Sequence, residues 1–186
     1  MSSLPPLSAL GPRICILGPS NSGKSTLAQA IARKNGACAV HLDLLFHLPH
    51  TDWQPRPAEE FLALHAAAIR RENWVIDGNY TKCLPERLER ATGLILLDIS
   101  TSLSLFRYLR RTLFEKGRIG ALEGRQDSIK LDMLRHLVCV TPGNMRRYRE
   151  MFDGLTLPKA HLCGARAITR CYEEWGLTFL RSRDGG

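Results

Sequence analysis

Two glycines that flank a short polar segment, followed directly by lysine and serine, form the most informative spacing in this chain. The segment GPSNSGKST begins at Gly18, and its second glycine, Gly23, precedes Lys24 and Ser25. Glycine lets the backbone approach a ligand closely and adopt positive φ, so such a loop is suited to surround phosphate groups with its amides. We expect Lys24 to reach the β- and γ-phosphates of a nucleotide, and the Ser25 hydroxyl to coordinate Mg²⁺.

The segments on either side of this loop match those that a phosphate-binding loop requires. The apolar run at 13–18 predicts a strand, and residues 25–36 predict a helix with Leu27, Ala28 and Ile31 on one face. The amino end of that helix adds partial positive charge beside the loop. The loop residues predicted to bind nucleotide are Gly18, Asn21, Ser22, Gly23, Lys24, Ser25 and Thr26.

Length and composition predict one globular domain. The chain has 186 residues, of which we interpret 1–12 as a flexible leader and 13–186 as a single domain. The leader lacks the features of a signal peptide, and no apolar run approaches membrane-spanning length, so a cytoplasmic protein is expected. Cys15 and Cys163 lie in apolar, strand-like runs and are predicted to be buried thiols.

Positive charge is concentrated in one part of the chain. The formal net charge is +8, and residues 103–150 hold eleven Lys or Arg against five Asp or Glu, a net charge of +6. A basic segment of this kind suits nucleic acid, or a mobile lid that closes over a bound triphosphate. The glycine-rich stretch at 117–131 favours the lid hypothesis.

Short apolar runs alternate with helical periodicity along the chain, which predicts an α/β fold with a parallel sheet. We expect the three-layer fold of P-loop NTPases with five parallel strands, at 13–18, 39–44, 74–77, 93–99 and 160–163. Further helices are predicted at 57–73, 101–117, 144–151 and 165–175. Their predicted inward-facing side chains are Phe61, Leu64, Ala68 and Ile69 in the first, and Leu105, Leu109 and Leu113 or Phe106 in the second.

Three predicted strands end in a carboxylate, at Asp43, Asp77 and Asp98. Ligands of open α/β sheets bind at this edge, so these side chains are candidates for the site. We assign Asp77, which precedes Gly78, to hold a water ligand of Mg²⁺, and Asp43 to face the acceptor substrate. For Asp43 the alternative is an ordinary solvated carboxylate. Asp98 is predicted to be structural and to cap the helix that follows it.

The segments GPSNSGKST, HLDLLF, WVIDGNYTK and LLDISTSLSLFRYLRR together resemble the adenylate kinase-like branch of P-loop kinases, and especially the DNA topology modulation proteins. The likeness covers about residues 14–120. It implies that Asp77 lies near Mg²⁺ and that ATP is the phosphoryl donor. It also places Arg107 where the family packs an arginine on adenine, and Arg111 where a second arginine contacts phosphates.

Two departures from the family bear on the acceptor. Gly78 is followed by Asn-Tyr-Thr where adenylate kinases have Pro-Arg, and Phe46 stands where they have an arginine. A phosphomonoester bound without a bidentate arginine loses its best partner, which disfavours AMP unless Arg56 supplies that group. The spacing from Asp43 to Phe46 is closer to small-metabolite and nucleoside kinases, in which the aspartate accepts the hydroxyl proton.

The sequence therefore predicts an enzyme, an ATP- and Mg²⁺-dependent phosphotransferase acting on a small acceptor. Its predicted catalytic residues are Lys24, Asp43, Arg107 and Arg111. The competing hypothesis, drawn from the basic segment and the resemblance, is a DNA-associated ATPase. The chain contains no Asn-Lys-x-Asp guanine motif, which disfavours a GTPase.

Overall fold

The computed structural model describes residues 4–51, 53–114 and 141–178, with the side chains of 111–114 and 141–142 outside this description. Five parallel strands form one sheet in the order β2-β3-β1-β4-β5. Their bounds are β1 Arg13–Leu17, β2 Cys38–His41, β3 Trp74–Asp77, β4 Gly93–Asp98 and β5 Lys159–Cys163. The predicted α/β fold with a five-stranded parallel sheet is confirmed.

Helices connect and cover the strands. They are α1 Lys24–Asn35, α2 Leu42–Phe46, α3 Ala58–Ile69, α4 Leu84–Arg90, α5 Thr101–Phe114, α6 Thr141–Gly154 and α7 Gly164–Glu174. Short 3₁₀ helices lie at Leu7–Leu10 and Thr81–Cys83. Helix α1 ends at Gly36, which adopts the left-handed conformation. None of the helices in these ranges is long and apolar enough to cross a membrane.

Alternate residues of the central strand β1 contribute to two hydrophobic cores. Ile14 and Ile16 pack in the core that includes buried residues of α1 and α7. Cys15 and Leu17 pack in the core that includes buried residues of α3, α4 and α6. Both faces of the sheet are therefore covered, which explains why its strands are apolar almost throughout.

Strand register brings the carboxyl ends of the strands into line. Asp77, the last residue of β3, pairs with Ile16 of β1 on one side and with His41 of β2 on the other. On the far side of β1, Leu17 pairs with Leu96 of β4. The loop that follows β1 therefore leaves the sheet between the ends of β3 and β4.

The second strand ends earlier than the sequence predicted. β2 stops at His41 because Leu42–Phe46 turns into the short helix α2, so Asp43 lies in the first turn of a helix. The end of a strand depends on its pairing within the sheet. The residues after His41 remain mostly apolar, so their pattern does not indicate the change from strand to helix.

Two predicted inward-facing residues are exposed instead. Leu64 is 39% exposed, because other residues of α3 form its buried face. Phe106 on α5 is 62% exposed. The buried residues of α5 include Ser104 and Tyr108, while Leu105 and Leu109 are half-buried. The predicted lid at 117–131 lies outside the described residues.

The described part of the predicted leader packs on the domain. Leu7 and Leu10 lie in the hydrophobic core, and the Trp175 indole Nε1 donates to the Pro5 carbonyl oxygen at 2.9 Å.

Candidate active site

The glycine-rich loop joins β1 to α1 through residues with positive φ. Gly18 has φ 148°, Asn21 62° and Gly23 98°. A Cβ on Gly18 would lie 2.5 Å from the Leu97 carbonyl oxygen, so only glycine fits there. A Cβ on Gly23 would meet nothing within 4 Å. Because Gly23 is also the N-cap of α1, the unpaired amides of the first turn begin beside open space, which suits an anion.

Asn79 anchors the start of this loop from the neighbouring strand. Its side-chain Oδ1 accepts from the Gly18 amide at 3.2 Å, and its Nδ2 donates to the Gly18 carbonyl oxygen at 2.9 Å. Both backbone groups of one glycine are thus satisfied by one amide side chain. In the sequence, Asn79 stands out only as a departure from adenylate kinases, which predicts no role for it.

Helix α5 holds the middle of the loop. The Ser104 hydroxyl donates to the Ser20 carbonyl oxygen at 2.5 Å, and the Arg107 guanidinium donates to the Ser22 carbonyl oxygen at 3.0 Å. Burial and the neighbouring Arg110 lower the pKa of Arg107, although a guanidinium remains charged at neutral pH. The structure therefore brings Arg107 to the predicted phosphate loop, in contact with its backbone.

Lys24 folds back over the loop that precedes it. Its Nζ donates to the Pro19 carbonyl oxygen at 2.7 Å, which keeps the ammonium inside the loop. Burial lowers the pKa of Lys24, and the carboxylates of Asp77 and Asp43 act in the opposite direction. The ammonium is thus the common electrostatic neighbour of the two carboxylates that the sequence singled out.

Asp77 connects the loop to the sheet. The Ser25 hydroxyl donates to its Oδ2 at 2.8 Å, and Nδ1 of His41 contacts its Oδ1. The carboxylate is 3% exposed and stands at the start of α1, beside the amides that suit phosphate. A hydroxyl and a carboxylate oxygen are hard ligands of the kind that Mg²⁺ prefers, so Ser25 and Asp77 fit this ion.

Asp43 projects from the first turn of α2 and is exposed. The Tyr80 hydroxyl donates to its Oδ1 at 2.8 Å. Burial and the nearby Asp43 charge raise the pKa of Tyr80, so the phenol stays protonated and remains a donor. This partner favours a positioned carboxylate over the alternative of an ordinary solvated side chain.

Aromatic side chains border Asp43. Phe46, Phe61 and Tyr80 pack against one another with ring centroids 4.9–5.2 Å apart. Arg56, considered as a substitute for the missing acceptor arginines, donates instead to the Leu45 carbonyl oxygen at 3.0 Å. It also reaches Glu60 at 3.4 Å. The surroundings of Asp43 are therefore apolar on one side, and Arg56 is already paired.

At the far end of the sheet edge, Asp98 forms an ion pair and caps no helix. Arg149 donates to both its carboxylate oxygens, at 2.6 and 2.8 Å, and His161 contacts it at 3.1 Å. Hydrogen bonding from Arg149 and His161 lowers the pKa of Asp98. The predicted cap is supplied by the Ser100 hydroxyl, which accepts from the Leu103 amide at 3.2 Å.

Of the two cysteines predicted to be buried, only Cys15 is. Cys163 is exposed, with its sulfur 3.3 Å from Nε2 of His161. Cys163 is the last residue of the edge strand β5, whose burial alternates along its length.

The predicted site residues fall into one connected group with one omission. The loop residues Gly18, Asn21, Ser22, Gly23, Lys24, Ser25 and Thr26 lie at or beside the β1–α1 junction. Asp77 and Arg107 join them through hydrogen bonds, and Asp43 acts on Lys24 through its charge. The side chain of Arg111 lies outside the described residues, although its backbone belongs to α5.

Comparison with solved structures supports the fold. A gluconokinase from Sinorhizobium meliloti 1021 has a TM-score of 0.57 at 16% identity, covering 89% of this chain and 90% of that chain. A sugar kinase from Janibacter sp. HTCC2649 has a TM-score of 0.50 at 15% identity, covering 89% and 94% respectively. No protein-family model and no curated protein sequence matches this chain.

Proposed function

We propose that this protein is an ATP-dependent phosphotransferase that moves the γ-phosphoryl group to a hydroxyl of a small acceptor. The observation that carries the proposal is that Lys24 Nζ lies inside the phosphate loop, 2.7 Å from the Pro19 carbonyl oxygen, while the Ser25 hydroxyl of the same loop bonds to Asp77 at 2.8 Å. The charge of Asp43 also acts on Lys24, which favours a second carboxylate on the acceptor side. In-line phosphoryl transfer requires a clamp for the triphosphate, a metal site and a group that orients the nucleophile.

Each residue has a role that its contacts allow. Lys24 exchanges the Pro19 carbonyl oxygen for the phosphate oxygens of ATP, and the first-turn amides of α1 bind the same group. Ser25 and Asp77 would hold Mg²⁺, which neutralises charge on the transferring phosphates when bound. The loop carbonyl that Arg107 contacts fixes this guanidinium near the phosphates, and Arg111 is proposed to contact them as well.

Asp43 is proposed as the group that receives the proton. The acceptor hydroxyl oxygen forms a bond to the γ-phosphorus while the bond from that phosphorus to the bridging oxygen breaks and ADP leaves. The hydroxyl proton passes to a carboxylate oxygen of Asp43, whose other oxygen is held by Tyr80. A carboxylate oriented in this way serves as a base better than one that rotates freely.

The surroundings of Asp43 favour a neutral hydroxyl compound as acceptor. Arg56 is occupied by Leu45 and Glu60, so it offers no free fork to an anionic acceptor. Phe46 and Tyr80 offer an apolar wall, which suits the carbon skeleton of a small polyol, sugar or nucleoside. The structural neighbours, one a gluconokinase and the other a sugar kinase, support this class.

The test measures ADP release from ATP and Mg²⁺ with a panel of sugars, sugar acids, polyols, nucleosides and nucleotides, and separately with duplex DNA. We expect a hydroxyl compound to stimulate turnover. Asp43→Asn should lower transfer by roughly two to four orders of magnitude while ATP affinity stays near the parent's. Stimulation by DNA alone, with binding that weakens steeply in salt, would instead support the DNA-associated ATPase.

A further inference from the structure

The imidazole of His41 lies against the same carboxylate that the Ser25 hydroxyl reaches. Nδ1 of His41 contacts Oδ1 of Asp77, and the Ser25 hydroxyl bonds to Oδ2. The side chains of His41 and Asp77 are only 9% and 4% exposed. Little water therefore reaches this carboxylate, and its orientation depends on its direct protein partners.

Sheet register creates this contact. His41 is the last residue of β2, Asp77 is the last residue of β3, and the two are paired across adjacent parallel strands. Side chains at paired positions of neighbouring strands extend to the same face of a sheet. The contact is thus built into the rigid part of the fold.

The chemistry of the pair fixes which atom donates. The oxygens of an ionised carboxylate only accept hydrogen bonds, so Nδ1 of His41 carries the hydrogen and donates it to Oδ1 of Asp77. With Oδ1 held, the carboxylate cannot turn about its own bond. Its second oxygen therefore stays directed at Ser25, on the side where the phosphate loop lies.

We propose that His41 is a positioning residue that orients Asp77 toward the Mg²⁺ ion accompanying ATP. The inference rests on the proposed function, in which Ser25 and Asp77 hold that ion. Groups that orient metal-binding side chains typically change metal affinity by about 10- to 100-fold when they are removed. His41 acts through Asp77 and touches neither the nucleotide nor the acceptor in this role.

Two substitutions separate the donated hydrogen bond from the volume of the ring. His41→Phe keeps a ring of similar size and removes the donor, whereas His41→Asn keeps an N–H close to the position of Nδ1. His161→Phe is the matched control, because it removes a different histidine whose ring contacts an aspartate carboxylate at this edge of the sheet. Thermal melts establish that each variant is folded, and His41→Ala replaces His41→Phe where the latter gives no cooperative melt.

The measurement is the dissociation constant of a non-hydrolysable ATP analogue by calorimetry, in excess Mg²⁺ and in EDTA. We expect Mg²⁺ to tighten binding to the parent, and this gain to fall by about 10-fold or more in His41→Phe. Affinity in EDTA should stay close to the parent's, since the loop is intact. His41→Asn should recover most of the gain, and His161→Phe should match the parent.

The proposal is overturned if Mg²⁺ tightens binding to His41→Phe as much as to the parent, or if His41→Asn and His41→Phe lose this gain equally. It is also overturned if the affinity of His41→Phe in EDTA falls as much as its affinity in Mg²⁺. The titrations contain no acceptor, so their outcome does not depend on which hydroxyl compound the protein phosphorylates. A parent that binds no nucleotide with Mg²⁺ would overturn the proposed function as well. A parent that binds and transfers phosphate, with His41→Phe unchanged in its response to Mg²⁺, would overturn this inference alone.

Discussion

Removing the Asn79 side-chain amide should weaken nucleotide binding more than it weakens the fold. Asn79 supplies two hydrogen bonds to the backbone of Gly18, at 3.2 and 2.9 Å, and so holds the first residue of the phosphate loop. In Asn79→Ala both backbone groups lose their partner. The loop then samples conformations that ATP cannot use, and binding must order it again.

The size of the effect follows from the two bonds. A net contribution of about 1 kcal/mol for each hydrogen bond gives about 2 kcal/mol in total. If the whole amount is needed to order the loop, affinity for ATP falls by up to about 30-fold. Gly18 lies at the end of a central strand whose pairing to β3 and β4 is unaffected, so the free energy of unfolding should change by less.

Calorimetric titration with a non-hydrolysable ATP analogue, together with urea unfolding, tests this reasoning. Asn35→Ala is the control, since Asn35 is exposed at the end of α1, away from the loop. It should bind the analogue as the parent does. This prediction is wrong if Asn79→Ala binds the analogue as tightly as the parent. It is also wrong if only the free energy of unfolding falls while the folded protein keeps its affinity.

Three further predictions concern single side chains of the site and of the sheet edge. Lys24→Ala should lower ATP turnover by at least about a hundredfold and leave the thermal midpoint near the parent's, since its bond to the Pro19 carbonyl oxygen stays within the loop and joins no two elements of the sheet. Tyr80→Phe should lower kcat by about fivefold, or about 1 kcal/mol, through the lost bond to Asp43, with ATP affinity unchanged in titration. Asp98→Asn should reduce the free energy of unfolding at neutral pH. Because the folded-state pKa of Asp98 is lowered, that difference should be present above about pH 4 and shrink as the pH falls below it, in urea melts at pH 7 and pH 3.

The glycine-rich loop between β1 and α1 could be predicted from sequence because all of its determinants are local. The glycines, Lys24 and Ser25 lie within one short segment, and the strand before it and the helix after it follow from hydrophobic periodicity. Asp77 could be predicted for a related reason, since it ends a buried run and precedes Gly78. A parallel sheet places such a residue at the ligand-binding edge whatever the order of its strands.

The groups that hold these residues in place could not be found in the same way. His41 reaches Asp77 through the pairing of β2 with β3, and Ser104 reaches Ser20 from a helix more than eighty residues further along the chain. Neither contact leaves a periodic pattern in the sequence. The turn into α2 was missed because tertiary packing, rather than propensity, ended the strand before Asp43.

Four successive residues after Ile76 contact the glycine-rich loop, Asp43 and the helices beside them. Asp77 bonds to Ser25, and Asn79 bonds to Gly18, so the first and third serve the phosphate loop. Tyr80 bonds to Asp43, the residue proposed for the acceptor side.

Gly78 lies between Asp77 and Asn79 and allows α2 to pack closely against this segment. A Cβ on Gly78 would lie only 2.8 Å from the Cβ of Leu42 in α2. Its carbonyl oxygen accepts from the fully buried Arg87 at 2.8 Å, which ties the segment to α4. The segment is thus fixed to the domain at its midpoint while its side chains reach both halves of the site. The separation between the glycine-rich loop and Asp43 is therefore set by the segment that follows β3.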